Sequence, residues 1–192
     1  MDNIINTTNL KLFFYINSHR NSFLDEIMYQ LSSTVIWIPV YLFIIFILYK
    51  VYNKKSWIFI LSAILMIIIS DKVSTFFKYL KKTLRPSHEI NLKSMIHLSK
   101  AGPGGLYGYV SSHASNFFAL AIFLIVLLPN KYNWLKIGFL ISAILVSYSR
   151  IYNGVHYPFD VVRGILLGSA IGLIFALILK INIINKLKAE NL

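Results

Sequence analysis

Five apolar runs, near residues 35–52, 57–80, 112–129, 134–150 and 158–180, leave this chain few ways to fold. Crossing the hydrocarbon core of a bilayer takes roughly 20 helical residues, and several of these runs are shorter than that. In lipid every backbone N–H and C=O needs a partner within the protein, so apolar runs of this kind become helices packed side by side. The expected fold class is all-α: a polytopic membrane helix bundle of about five spans, forming one domain over residues 1–192. Residues 4–32 mix apolar and polar positions without an uncharged run long enough to span. They read as two amphipathic helices lying at the interface and broken around 18–22, although an ordinary packing arm accounts for the same pattern.

Composition narrows the function classes. Hydrophobic residues make up 57% of the chain and charged residues 14%, which excludes an ordinary soluble protein. There is no cysteine, so disulfides, zinc-thiolate sites and cysteine nucleophiles are excluded. The net charge of +12 sits at the ends of the apolar runs, where it meets lipid headgroups, and this distribution argues against nucleic acid as a partner. The first residues carry no basic stretch ahead of a short apolar core, so no cleaved signal peptide is expected.

Three clusters of chemistry interrupt the oily background. The first reads K-Y-L-K-K-T-L-R-P over residues 78–86, the second is Val110-Ser111-Ser112-His113, and the third runs from Ser149-Arg150 through His156 to Asp160. Counting crossings puts the end of the second span, the start of the third and the connection between the fourth and fifth on one membrane face. A composite site is therefore expected there. The opposite face carries Lys50, Lys54, Lys55, Lys131, Lys136, Lys180, Lys186 and Lys188 against Glu190 alone. By the positive-inside rule that face is cytoplasmic and the site faces the exterior or periplasm.

The residue types suit breaking a phosphate ester: cations to hold the anion, one imidazole to attack and another to protonate the leaving oxygen. Seven helical residues would place Lys78 and Arg85 on one face, about 10 Å apart along the axis, with the helix ending before Pro86. The arginine fork binds phosphate oxygens in pairs. Taken alone, this cluster also fits snorkelling lysines with a proline stop. Ser111 and Ser112 open a helix, whose free amides attract anions, or Ser111 is simply the N-cap. His113 has the right chemistry for a proton donor, and equally for a structural interface histidine. Asp160, four residues after His156, is placed to orient its imidazole; the competing account is a first-turn carboxylate beside a capping histidine. Lys78, Arg85 and Arg150 together would repel a divalent metal, so chemistry without a metal or other cofactor is expected.

In kind, order and spacing the clusters resemble the motifs K-x6-R-P, P-S-G-H and S-R-x5-H-x3-D of the type 2 phosphatidic acid phosphatase (PAP2) superfamily. The resemblance covers the catalytic half, about residues 70–170. It implies an integral-membrane lipid phosphatase. His156 would be the nucleophile forming a phosphohistidine, Asp160 its orienting group, and His113 the acid and then the base. Lys78, Arg85, Ser111, Ser112 and Arg150 would bind the phosphoryl oxygens. Val110 and Ser112 depart from the second motif; Phe159 and Arg163 stand where small residues are common. Arg163 would hold a second phosphate, quench Asp160 or face lipid phosphates, and Asp71 would tune Lys78 or serve structure alone. The expected partner is a membrane lipid phosphate or diphosphate, with undecaprenyl diphosphate favoured over phosphatidate, phosphatidylglycerol phosphate and lipid A phosphate. A lipid phosphotransferase would use the same residues, and an anion transporter or lipid-binding protein is the non-enzymatic alternative.

Overall fold

A computed structural model describes residues 2–189, with side chains from residue 7 to residue 182. Seven α-helices follow one another: α1 (Asp2–Ser18), α2 (Ser22–Ser32), α3 (Ile38–Tyr52), α4 (Ser56–Lys81), α5 (Ser112–Leu127), α6 (Asn133–Tyr152) and α7 (Pro158–Ala189). Among the described residues there is no strand, only an isolated antiparallel bridge between Leu84 and Tyr107. The all-helical expectation holds. Among the described residues, three helical stretches are long and apolar enough to cross a membrane: Val35–Lys81, Asn130–Tyr152 and Pro158–Asn182. The first is 47 residues long and turns back on itself at Asn53–Lys55, so that it supplies both α3 and α4. The 16-residue α5 is a shorter apolar helix.

α5 is buried on nearly every side, as expected of a helix without a polar face. Its most extensive partner is α7, and three glycines explain the closeness of that pair. A side-chain carbon at Gly164, Gly168 or Gly172 would collide with the α5 backbone at Ser111, Ser115 or Ala119 respectively. Lipid tails are as apolar as leucine, so helices in a bilayer gain little by burying leucine and much by close backbone approach. Pairs of serines add directional contacts. Ser70 meets Ser115 and Ser74 meets Ser112, both at 2.7 Å, joining α4 to α5; Ser32 meets Ser149 at 2.8 Å, joining α2 to α6. Such interhelical bonds contribute about 0.6 kcal/mol each. Outward-facing Leu61, Ile64, Leu65, Ile141, Ile144 and Leu166 are about half exposed, which suits a lipid-facing surface.

The two N-terminal helices have one packed side and one exposed side. Asn21 caps α2 by accepting the Leu24 N–H at 2.9 Å, and this separates it from α1. Phe13, Asn17 and Met28 are buried, whereas Tyr15 and Phe23 are largely exposed. Asn17 donates to the carbonyls of His97 and Tyr152 and accepts the His97 N–H, all at 2.9 Å. Asn153 donates to the Met28 carbonyl and to Ser32. These bonds fasten α1 and α2 to the α6–α7 turn and to the long 82–111 segment.

One local expectation fails. Lys78 and Arg85 do not share a helical face, because α4 stops at Lys81 and Lys82 takes a left-handed conformation (φ 49°) as its cap. Residues 83–85 then run extended against 106–108. The Arg85 N–H reaches the Leu106 carbonyl at 3.1 Å and the Gly108 N–H reaches the Thr83 carbonyl at 2.8 Å. The backbone restriction imposed by Pro86 applies to Arg85, but pairing with the returning segment ends the helix a full turn earlier.

Candidate active site

The third cluster forms the floor of the site. The α6–α7 turn closes with the amides of Val155 and His156 both donating to the Arg150 carbonyl at 3.2 Å. Gly154 sits at φ +78°, and a side chain there would strike the His97 carbonyl, so glycine is required on both counts. Pro158 begins α7, which places Asp160 in its first turn. The resulting geometry brings His156 Nδ1 to 3.2 Å from Asp160 Oδ2. The same oxygen accepts the Tyr157 N–H at 3.2 Å, while Oδ1 lies 3.4 Å from Arg163 Nη1. Both His156 and Asp160 are 1% exposed. Burial, then Arg85, Arg150 and Lys78, push the His156 imidazole well below the ordinary histidine range. With Nδ1 facing Asp160 Oδ2, the ring's other nitrogen, Nε2, makes no hydrogen bond among the described residues.

The second cluster is the wall. Ser111 is the N-cap of α5, its hydroxyl accepting the Ala114 N–H at 3.4 Å while its own N–H donates to the Asp160 carbonyl at 2.9 Å. Both groups of Ser111 are thus engaged in structure. The amides of Ser112 and His113, in the first helical turn, have no intrahelical acceptor. Lys78 Nζ donates to the Ser112 hydroxyl at 2.5 Å. His113 is half-buried, within electrostatic reach of Arg150, His156 and Lys78.

The first cluster and the segment returning along it form the roof. Arg85 is buried and its Nε donates to the Tyr107 carbonyl at 3.1 Å. Burial lowers its pKa and Asp160 opposes that shift; an arginine remains charged regardless. Two glycines make room: a side chain at Gly104 would overlap the Arg85 guanidinium, and one at Gly108 would come within 2.7 Å of Asp160 Oδ2. Arg150 is also buried, and its Nε has no hydrogen-bond partner among the described residues. Lys78 lies within electrostatic reach of Arg85, Arg150 and Asp160, Arg85 within reach of Asp160 and Arg150, and all three cations within reach of His156.

The structure therefore brings Lys78, Arg85, Ser112, His113, Arg150, His156 and Asp160 to one place, with Ser111 built into the wall behind them. Contributors not identified from the sequence come from α2: Tyr29, Ser32 and Ser33, with Ala101, line a pocket of about 310 Å³ beside His113 and Arg150. No local pattern announces the contacts from Tyr29, Ser32 and Ser33, which lie eighty or more residues from His113 and Arg150. The α7 glycines do carry a local signal, the G-x3-G-x3-G spacing of Gly164, Gly168 and Gly172, which is a packing pattern for membrane helices.

Comparison with known proteins gives the family. The PAP2 superfamily model matches residues 57–184, and the chain belongs to that superfamily. It is 36% identical to a lipid A 4'-phosphatase of Bacteroides thetaiotaomicron over 171 residues, 88% of this chain and 74% of that protein. It is 34% identical to an undecaprenyl-diphosphatase of Sulfolobus acidocaldarius over 164 residues, 84% of this chain and 73% of that one. Among solved structures, Aquifex aeolicus LpxE superposes with a TM-score of 0.62 at 29% identity, covering 88% of this chain and 94% of LpxE. A PAP2-type phosphatidylglycerolphosphate phosphatase from Bacillus subtilis gives 0.67 at 20% identity, covering 90% and 85%, which bears on the fold alone. The protein is an integral-membrane lipid phosphatase of the PAP2 type.

Proposed function

We propose that the chain hydrolyses a lipid phosphate monoester or diphosphate through a phosphohistidine on His156. The observation that carries this reading is a buried imidazole 3.2 Å from the Asp160 carboxylate, with Lys78, Arg85 and Arg150 within electrostatic reach. Nε2 attacks phosphorus, forming the N–P bond as the P–O bond to the lipid breaks, and His113 gives its proton to the departing oxygen. Asp160 stabilises the charge that develops on the His156 ring. Water then attacks the phosphohistidine, His113 takes up its proton, and inorganic phosphate leaves. Lys78, Arg85, Arg150 and the Ser112 and His113 amides hold the phosphoryl oxygens, the usual source of most of the rate in phosphoryl transfer. With cations filling that role, no metal is required.

The test is phosphate release in detergent with EDTA present, from undecaprenyl diphosphate, a lipid A phosphate, phosphatidate and phosphatidylglycerol phosphate. Release that is blocked by orthovanadate and lost in His156→Ala is the expected result. Release that depends on added magnesium or zinc would contradict the mechanism, and transfer to an added lipid or sugar acceptor in preference to water would make the enzyme a phosphotransferase.

We also propose that the site faces the exterior or periplasm of a bacterial inner membrane, on the strength of the eight lysines opposite it. Single cysteines test this in a chain that has none. Lys100, on the site side, and Lys54, on the opposite turn, are exposed positions for it. Impermeant maleimide should label Lys100→Cys in intact cells stripped of outer barriers, and Lys54→Cys only after permeabilisation; the reverse pattern would put the site in the cytoplasm.

A further inference from the structure

A groove of about 540 Å³ runs between α3, α4 and α5, walled by apolar residues such as Ile44, Leu48, Ile64, Ile67, Phe117 and Leu120. Ser112 and His113 line it as well, so the groove is continuous with the site. One wall residue is unlike the others. Asp71 lines the groove, is exposed within it, and lies in the interior of α4 rather than at an end. Its backbone carbonyl accepts the Ser74 hydroxyl, but its carboxylate makes no hydrogen bond or ion pair among the described residues. The charge it acts upon is Lys78, two helical turns further along.

An ionisable side chain inside a membrane helix is retained at a cost and generally marks a functional path. A carboxylate is an acceptor only, so what it lacks here is a donor. Its distance from Lys78, seven residues and therefore about 10 Å along the helix axis, sets where that donor must lie. We propose that Asp71 is a specificity-determining residue, accepting a hydrogen bond from a hydroxyl or amide N–H that the lipid carries within about 10 Å of its scissile phosphate. An acylated amino-sugar phosphate offers amide and hydroxyl donors at that distance. A polyprenyl diphosphate offers only C–H groups there, and it brings additional negative charge toward the carboxylate. The site thus favours the first class of lipid over the second, which reverses the preference drawn from the sequence. This inference rests on the phosphatase reading above.

The experiment measures kcat/KM for phosphate release from an N-acylated glucosamine lipid phosphate and from a C55 polyprenyl diphosphate, in wild type, Asp71→Leu and Asp71→Asn. The ratio of the two constants is the readout, because it does not depend on the fraction of each preparation that is correctly folded. Wild type should favour the amino-sugar lipid. Asp71→Leu should shift the ratio about tenfold toward the polyprenyl substrate, the loss of one hydrogen bond to a charged group. Asp71→Asn, which keeps an acceptor oxygen, should shift it by about threefold and remains informative should the leucine variant fail to fold. An unchanged ratio, including equal losses on both lipids, would mean that Asp71 acts only through Lys78 and would overturn the inference while leaving the phosphatase reading intact. The same holds for a wild-type preference for the polyprenyl diphosphate. Absence of vanadate-sensitive release from both lipids would overturn the phosphatase reading and this inference together.

Discussion

Two cavities meet at His113 and differ in almost everything else. On one side is the pocket of about 310 Å³ lined by Tyr29, Ser32, Ser33, Ala101 and Arg150; on the other is the groove of about 540 Å³ between α3, α4 and α5, mostly aliphatic. The first is built from the ends of α2 and α6, the start of α5 and the loop at Ala101. The second is built from the faces of regular helices. The pairing suits a substrate with a charged end and a largely apolar tail, the one meeting fixed polar groups and the other a mostly aliphatic wall broken by Asp71.

The largest expected effect lies on the polar side. His156→Ala should lower kcat by about 10⁴-fold or more, because no other group on that side replaces a covalent nucleophile. The protein should retain its helical circular dichroism and its detergent-solubilised elution volume. Substantial remaining phosphate release would remove His156 from that role. Asp160→Asn keeps the nucleophile but loses the charge that steadies the ring, and a fall of about 10²–10³-fold is expected. Full activity in that variant would show that the 3.2 Å contact is structural only.

Arg85→Gln should cost about 10²-fold in kcat, as for the loss of one donor to developing negative charge. It should also leave a signature in pH. Burial, and next to it Arg85, keep His156 from protonating, so its neutral form persists below the ordinary histidine pKa. Removing that cation makes protonation easier, so the acid limb of kcat/KM should move to higher pH in the variant. The ionisation of the substrate is common to both enzymes and cancels in the comparison. A limb that stays in place, or moves to lower pH, would mean that Arg85 does not face the imidazole electrostatically.

The smallest effect belongs to the groove. Ala63→Trp fills part of it and should raise KM for a long-chain lipid phosphate about tenfold, with kcat changed little. A soluble aryl phosphate, which has no tail to accommodate, should show less than a twofold change in kcat/KM. Equal effects on both substrates would erase the distinction between the two cavities.

The sequence was sufficient for the parts governed by local rules. Apolar length specified helices, because lipid offers backbone groups no other partner, and the spacing Lys78–Arg85, Ser112–His113 and Arg150–His156–Asp160 named residues that the fold gathers into one site. The i to i+4 relation of His156 and Asp160 was legible because both sit across a single turn and the first residues of α7. Where a competing long-range contact intervened, local reasoning failed. The helix ending at Lys81 instead of near Arg85 reflects pairing of residues 83–85 with 106–108, a contact between segments about twenty residues apart. The engagement of Ser111 by the Asp160 carbonyl, the approach of α2 to His113 and Arg150, and the exposure of Asp71 in the groove wall were decided only by how the helices pack. A one-dimensional pattern states which faces are apolar. It does not state which neighbour each face will meet, and in a bilayer, where every helix is apolar toward its surroundings, that choice falls to close-packing at glycines and to a few buried hydrogen bonds.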